Sequence, residues 1–258
     1  MVIGVCFKIL PDFEDMDPIE WENPQQLEFG YVKKIYGCFD EAALETALRL
    51  RDQIQTAGET AVTVAVTVGA PESAAAEGLL RSLFAAGFDH VVTIPGTAEF
   101  DPKHTARVLA GYFRENPADM IFCGRMVGPA DSGMVPLHLA RELECDLYPE
   151  VTTAVWNADA ASVVVTCREG NTLCRRQVAA NGVCTLGDAE AAYLRLVPLR
   201  ARMAARNREF TSWQGMEQEN ASEVVLLAEK KETVPCRFLS LDTAAQELLE
   251  ILKGAKEV

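Results

Sequence analysis

"AVTVAVTVGAPESAAAEGLLRSLFAAGFDHVVTI", residues 61–94, decides the fold. Its first eight residues and its last five are almost continuously apolar, which suits strands buried on both faces. Between them, residues 72–86 place apolar side chains at helical spacing, and Gly87 stands where a left-handed residue ends a helix. Strand, helix and strand in that order make a crossover unit, and a crossover unit implies parallel strands.

The same grammar extends outward. "VIGVCF" (2–7) and "DMIFC" (119–123) read as further buried strands, and helices are predicted at about 40–57, 102–115 and 132–143. Asp40 is read as an N-cap with Phe39 and Leu44 as its staple, and Asp101-Pro102 as a cap followed by a first-turn proline. About thirty residues separate the first strand from its helix, far more than the usual connection. That insertion is read as functional or as an added hairpin, with a short strand in "LEFGYVKK" (27–34). After residue 150 the pattern becomes β-rich with short turns, as of antiparallel strands that extend or cap the sheet, and Cys167 and Cys174 face each other across a hairpin turning at Gly170-Asn171. The fold class is therefore α/β, a doubly wound and mainly parallel sheet of Rossmann-like type with antiparallel additions and an extended C-terminal arm. We divide it at residue 185, into an α/β domain over 1–185 and a C-terminal arm over 186–258.

Composition narrows the function. A net charge of −14 and a pI near 4.7 exclude a general nucleic-acid binder, which needs clustered cations. No apolar run is long enough to span a membrane and no secretory signal is recognisable, so a cytoplasmic location is expected. The eight cysteines carry no metal-binding spacing, and no hydrolase, zincin or Walker motif occurs around His90, His104 or His138. Five arginines within residues 195–208 stand out in so acidic a chain, either as a solvated helix face or as an exposed arm for an acidic partner.

The candidate site is the glycine-rich stretch "GRMVGPADSGM", residues 124–134. In a doubly wound sheet, ligands sit beyond the carboxyl ends of the strands, at helix N-termini. Gly128 and Gly133 permit positive φ, Asp131 or Ser132 can cap the next helix, and its free amides favour a phosphate. A plain glycine-rich turn gives the same pattern.

Several separated segments, in order, resemble the β subunit of the electron-transfer flavoprotein family: "VCFKILPD", "GCFDEAALETALRLRD", the stretch around residues 61–94, and "ADMIFCGRMVGPADSGMVPLHLARELECD". The resemblance implies an electron carrier subunit rather than a self-sufficient enzyme. It implies a heterodimer with a larger α subunit that holds FAD, and a dehydrogenase of acyl-CoA dehydrogenase type as electron donor. It also implies AMP, or a second FAD, in this subunit, so that residues 1–185 form a nucleotide-binding domain and residues 186–258 a recognition arm with a partner-wrapping segment. Carried over by position, the cofactor contacts are Cys6, Gly37, Cys38, Phe39, Asp40 and Val68, then Gly124, Arg125, Met126, Val127, Gly128 and Pro129, followed by Ala130, Asp131, Ser132, Gly133, Met134 and Val135. The docking residues implied are Tyr193, Leu194, Arg195 and Leu196, with the anchoring leucine falling on Leu194 or Leu196. Met126, Pro129 and Met134 stand where the family carries Gln, Asp and Gln. The competing reading is an adenine-nucleotide-binding enzyme or sensor module on a related scaffold.

Overall fold

The computed structural model describes residues 1–15, 31–69, 73–96, 101–126, 132–178, 181–215, 240 and 243–254. The chain forms two units, Met1–Val224 and Val225–Val258. In the second, the described element is the helix α6 (Ala244–Gly254), where Thr243 donates its hydroxyl to Glu247 at 2.7 Å.

The first unit is built on a nine-stranded sheet. Its strands are β1 (Val2–Cys6), β4 (Val62–Val68), β5 (His90–Ile94), β6 (Met120–Gly124), β7 (Leu147–Asn157), β8 (Ser162–Glu169), β9 (Thr172–Val178), β10 (Gly182–Leu186) and β11 (Thr211–Ser212), in spatial order β11-β5-β4-β1-β6-β10-β7-β8-β9. From β11 to β7 every pairing is parallel, and β8 and β9 add antiparallel. Cys167 and Cys174 are register partners as expected, and both thiols are free.

One strand departs from the expected arrangement. β10 does not continue the antiparallel cap but inserts between β6 and β7, parallel to both. Its sequence, "GVCTL", is mostly small and apolar and all five residues are buried, so an interior position shelters both faces.

Four helices cover the two faces of the sheet. On one, α1 (Cys38–Thr56) and α2 (Ala74–Ala86) bury Ala43, Leu44, Leu48, Leu80 and Leu83 against β1 and its neighbours. On the other, α3 (Pro102–Glu115) and α4 (Val135–Glu142) bury Ala106, Leu109, Phe113 and Leu139. The stop and start signals hold where they are local. Asp101 accepts from the amides of Lys103 and His104 at 3.1 and 3.0 Å, Ser73 caps α2 by accepting from Ala76 at 3.2 Å, and Gly87 ends α2 at φ 118°. The long insertion after β1 contains a hairpin, as one of its two readings had it. β2 (Ile9–Pro11) pairs antiparallel with β3 (Lys34–Tyr36), later in the chain than the expected strand, whose residues 27–30 lie outside the described ones.

Candidate functional site at the carboxyl ends of the strands

Because β1, β4, β5, β6 and β10 run parallel, Cys6, Val68, Ile94, Gly124 and Leu186 all end on one rim of the sheet. From β1 the chain passes to α1 on one face; from β6 it passes to α4 on the other. The strand order reverses between these two, and the crevice at such a reversal is where doubly wound sheets take ligands. Cys6 and Gly124 stand on its two sides.

The first turn of α1 closes the crevice from above. Here the structure corrects a sequence expectation: the helix starts at Cys38 with Gly37 as its N-cap, and Asp40 is the third helical residue rather than the cap. Asp40 is buried, and its carboxylate accepts from the Lys8 amide at 2.8 Å, while Gly37 donates to the Lys8 carbonyl at 3.1 Å. A first-turn carboxylate also suits the helix dipole. A Cβ at Gly124 would collide with that carboxylate and lie 3.0 Å from the Asp40 amide nitrogen. Asp40 and Gly124 thus clip together the ends of β1 and β6 and the start of α1.

Arg125 continues the ladder by donating its amide to the Leu186 carbonyl at 2.7 Å. Its guanidinium lies over the Phe39 ring at 4.6 Å and pairs with Glu150 at 3.4 Å. Glu150 occupies a left-handed backbone position, φ 50°, at an irregularity in β7, and donates its amide to the Thr185 hydroxyl at 3.1 Å. A Cβ at Gly187 would lie 2.6 Å from a Glu150 carboxylate oxygen, so a side chain there would displace Glu150. Four segments therefore converge on one cation. Its Nε is buried and has no hydrogen-bond partner among the described residues. Glu150, Thr185 and Gly187 were not singled out from sequence, since nothing local in "LYPEV" or "CTLGD" marks them.

Farther along the loop, Met126, Ser132, Gly133, Met134 and Val135 are described, whereas Val127, Gly128, Pro129, Ala130 and Asp131 lie outside the described residues. Gly133 has the positive φ expected of it, 65°, with the Arg125 carbonyl 2.8 Å from where its Cβ would be. Ser132 does not cap the helix: α4 begins at Val135 behind Met134, with no side-chain cap, and Pro136 sits in its first turn. Cys6 is buried beside its register partner Cys123; the hydrogen bond to Cys123 and then burial push its thiol well above the ordinary range. It presents the crevice with a neutral sulfur rather than a thiolate.

Beyond β10 the chain does not hang free. Residues 187–213 form a strap fastened at both ends. At its start, Arg195 pairs with Glu45 at 3.0 Å and Asp52 at 2.8 Å on α1. Its middle contains α5 (Leu199–Ala205), and at its far end Arg208 stacks over Phe84 at 4.5 Å and donates to the Asp89 carbonyl at 2.8 Å. The Trp213 indole donates to Glu115 at 2.9 Å, and β11 pairs with β5. Two of the five clustered arginines are thus used internally. The strap's own residues divide sharply: Leu194 packs on the core, while Tyr193 is 79% and Leu196 95% exposed. A cavity of about 350 Å³, lined by Tyr36, Phe39, Glu41, Gly187 and Tyr193 among others, lies between the strap and the first turn of α1.

Among the described residues no group of three or more His, Cys, Asp or Glu side chains is placed to hold a metal, and no helix is long and apolar enough to cross a membrane.

Comparison with known proteins bears on this geometry directly. The electron transfer flavoprotein domain matches residues 33–213, from β3 through the strap. The acryloyl-CoA reductase electron transfer subunit gamma of Anaerotignum propionicum is 33% identical over 160 residues, 59% of this chain and 54% of that one. The putative electron transfer flavoprotein subunit YgcR of Escherichia coli K12 is 26% identical over 215 residues, 81% of this chain and 80% of that one. The electron transfer flavoprotein subunit beta of Thermoanaerobacterium thermosaccharolyticum is 30% identical over 156 residues, 59% and 54% of the two chains, so the chain spans about half the length of the first and third of these relatives. With a family domain that takes in the α1 and β6 sides of the crevice, the Arg125 cluster and the strap alike, the chain belongs to the electron transfer flavoprotein family, in its β-subunit group.

Proposed function

We propose that this chain is the β subunit of an electron transfer flavoprotein, paired with an α subunit that carries the redox-active FAD, and that its own crevice binds an adenine nucleotide, AMP or a second FAD. The observation that carries the reading is the convergence of Cys6, Gly124, the first turn of α1 and Arg125 at the strand-order reversal. These residues fit such a group. Arg125 offers a cation for a phosphate or pyrophosphate, and Gly133, at positive φ, lets the backbone pack against the Arg125 carbonyl. Cys6 and Val68 offer a neutral rim. The contacts assigned to residues 37–40, 68 and 124–135 belong to this proposal, as does the division of labour between residues 1–185 and the segment that follows. Flavin supplies the electron chemistry; the residues of this chain bind, orient and shield.

Electrons then pass from a dehydrogenase of acyl-CoA dehydrogenase type, in the cytoplasm, through the partner's flavin to an acceptor. The donor docks on the strap. Leu196, exposed and beside the strap's fastening point, is the anchoring leucine in this reading, and Leu194 is part of the core.

The test is nucleotide content. The chain is co-expressed with an electron transfer flavoprotein α subunit from the same organism, the complex is denatured, and the released nucleotides are identified by mass spectrometry. One FAD with one AMP marks simple transfer and two FAD mark a flavin in the crevice. A complex with FAD only in the α subunit and nothing in this chain refutes the site.

A further inference from the structure

The start of the strap is fastened by an arrangement more elaborate than a surface ion pair. Glu41, Glu45 and Asp52 line one side of α1 at intervals of four and seven residues, about one and two turns. Glu41 accepts the Leu194 amide at 3.1 Å, and Glu45 accepts the Arg195 amide at 3.0 Å. The Arg195 guanidinium then spans both remaining acceptors. Its Nε and Nη2 bond the two oxygens of Glu45 at 3.0 and 3.2 Å, and its Nη1 bonds Asp52 at 2.8 Å. The Glu45 side chain is only 5% exposed and that of Arg195 30%. Main chain and side chain of the same residue are thus fixed on the same helix. The residues on either side are not: Tyr193 and Leu196 stand out into solvent, followed by Leu199 and Met203, four apart on the exposed face of α5.

We propose that Arg195 is a positioning residue: by latching the strap to Glu45 and Asp52 it sets Leu196, Leu199 and Met203 outward as a preformed apolar surface for the donor dehydrogenase. An apolar side chain on a loose segment loses conformational freedom when it docks, and fixing the segment beforehand removes that cost. A planar fork is needed because one group must meet two carboxylates at once, which an ammonium does poorly. Arg200 and Arg202, on α5 beside the apolar face, favour a partner with an acidic rim. The proposal rests on the docking reading for its purpose, while the latch itself is testable without it.

The test uses the full chain in complex with its α subunit, as Arg195→Ala, Arg195→Lys and Leu196→Ala. Amide hydrogen exchange is followed by mass spectrometry, and KM is measured for an acyl-CoA dehydrogenase reduced by its acyl-CoA. In Arg195→Ala, exchange over residues 193–203 rises roughly tenfold with β1, β6 and β10 unchanged, as loss of a charge-assisted network at the edge of the fold requires. KM rises roughly tenfold with kcat unchanged, and Arg195→Lys falls between. Unchanged exchange in Arg195→Ala, or faster exchange across the whole sheet, overturns the latch. A raised KM in Leu196→Ala beside an unchanged one in Arg195→Ala overturns positioning. An unchanged KM in Leu196→Ala rejects the docking reading itself and leaves the exchange data to judge the latch.

Discussion

The crevice and the strap solve the same problem, holding irregular backbone in place, by opposite means. At the crevice the solution is close approach: Gly124 has no side chain, so the first turn of α1 rests on the end of β6 and the buried Asp40 carboxylate reaches the Lys8 amide. Along the strap it is charge: Arg195 on Glu45 and Asp52 at one end, Arg208 on Phe84 and Asp89 at the other. Contacts of the first kind fail as a unit when an atom is added, whereas exposed charged contacts fail singly and locally. Substitutions in the two regions therefore have different expected signatures.

The largest effect is expected at Gly124. Gly124→Val drives a branched side chain into Asp40 and Phe39 and costs about 3 kcal/mol or more, read from the shift in a denaturant midpoint, and under the proposed function it also abolishes nucleotide binding. Next comes Asp40→Ala, which strands the Lys8 amide and leaves a void, for about 2 to 3 kcal/mol. Asp40→Asn keeps an acceptor and should cost less than half as much; equal losses in the two variants would show that the hydrogen bond is not what matters. On the strap, Arg208→Ala removes a stacked cation and one hydrogen bond for about 1 kcal/mol or less. Its signature is new tryptic cleavage between α5 and β11 without a change in the global unfolding transition. If the global transition moves as far as for Asp40→Ala, the contrast between the regions is wrong.

The smallest effect concerns pH. Burial pushes the Asp52 carboxyl up, but hydrogen bonds from Arg51 and Arg195 outweigh it and hold the group below the ordinary carboxylate range. A group whose folded pKa is depressed contributes stability that is full above its unfolded pKa, near 4, and disappears as pH falls through the folded value. The share of the strap's fastening that Asp52 carries is accordingly constant from about pH 5 to 8 and weakens only in acid. Asp52→Asn should thus differ from the parent at pH 7 and converge with it as the pH falls below the ordinary carboxylate range, in hydrogen exchange over residues 193–196.

The same contrast explains what could be read from sequence. The parallel half of the sheet was legible because its strands are nearly continuous in apolar residues and two of its helices carry local punctuation, Asp101-Pro102 at the start of α3 and Gly87 at the end of α2. The position of the crevice followed from that order alone. Asp40 was misread as a cap because its acceptor role lies 32 residues away at Lys8, where no local pattern points. β10 was misplaced for a related reason: after a hairpin, nothing nearby says that the next apolar strand returns past its predecessors to β6. The latch shows the limit most plainly. Glu41, Glu45 and Asp52 look like solvated helix positions until Leu194 and Arg195 arrive from some 150 residues later.

The pairing of Thr211 and Ser212 with β5 is only two residues long, but it changes how the sheet meets other molecules. An open strand edge is a template for self-association, and β5 would offer one made of His90, Val91, Val92, Thr93 and Ile94. β11 covers Val92 and Thr93 of that edge, so the outer edges of the sheet among the described residues are the two-residue β11 at one end and β9 at the other, where Arg175 and Arg176 discourage stacking of identical chains. The strap therefore covers part of a sheet edge as well as fastening to α1. A proteolytic cut that releases β11 is expected to bare the edge of β5 and to favour aggregation of the chain with its own kind.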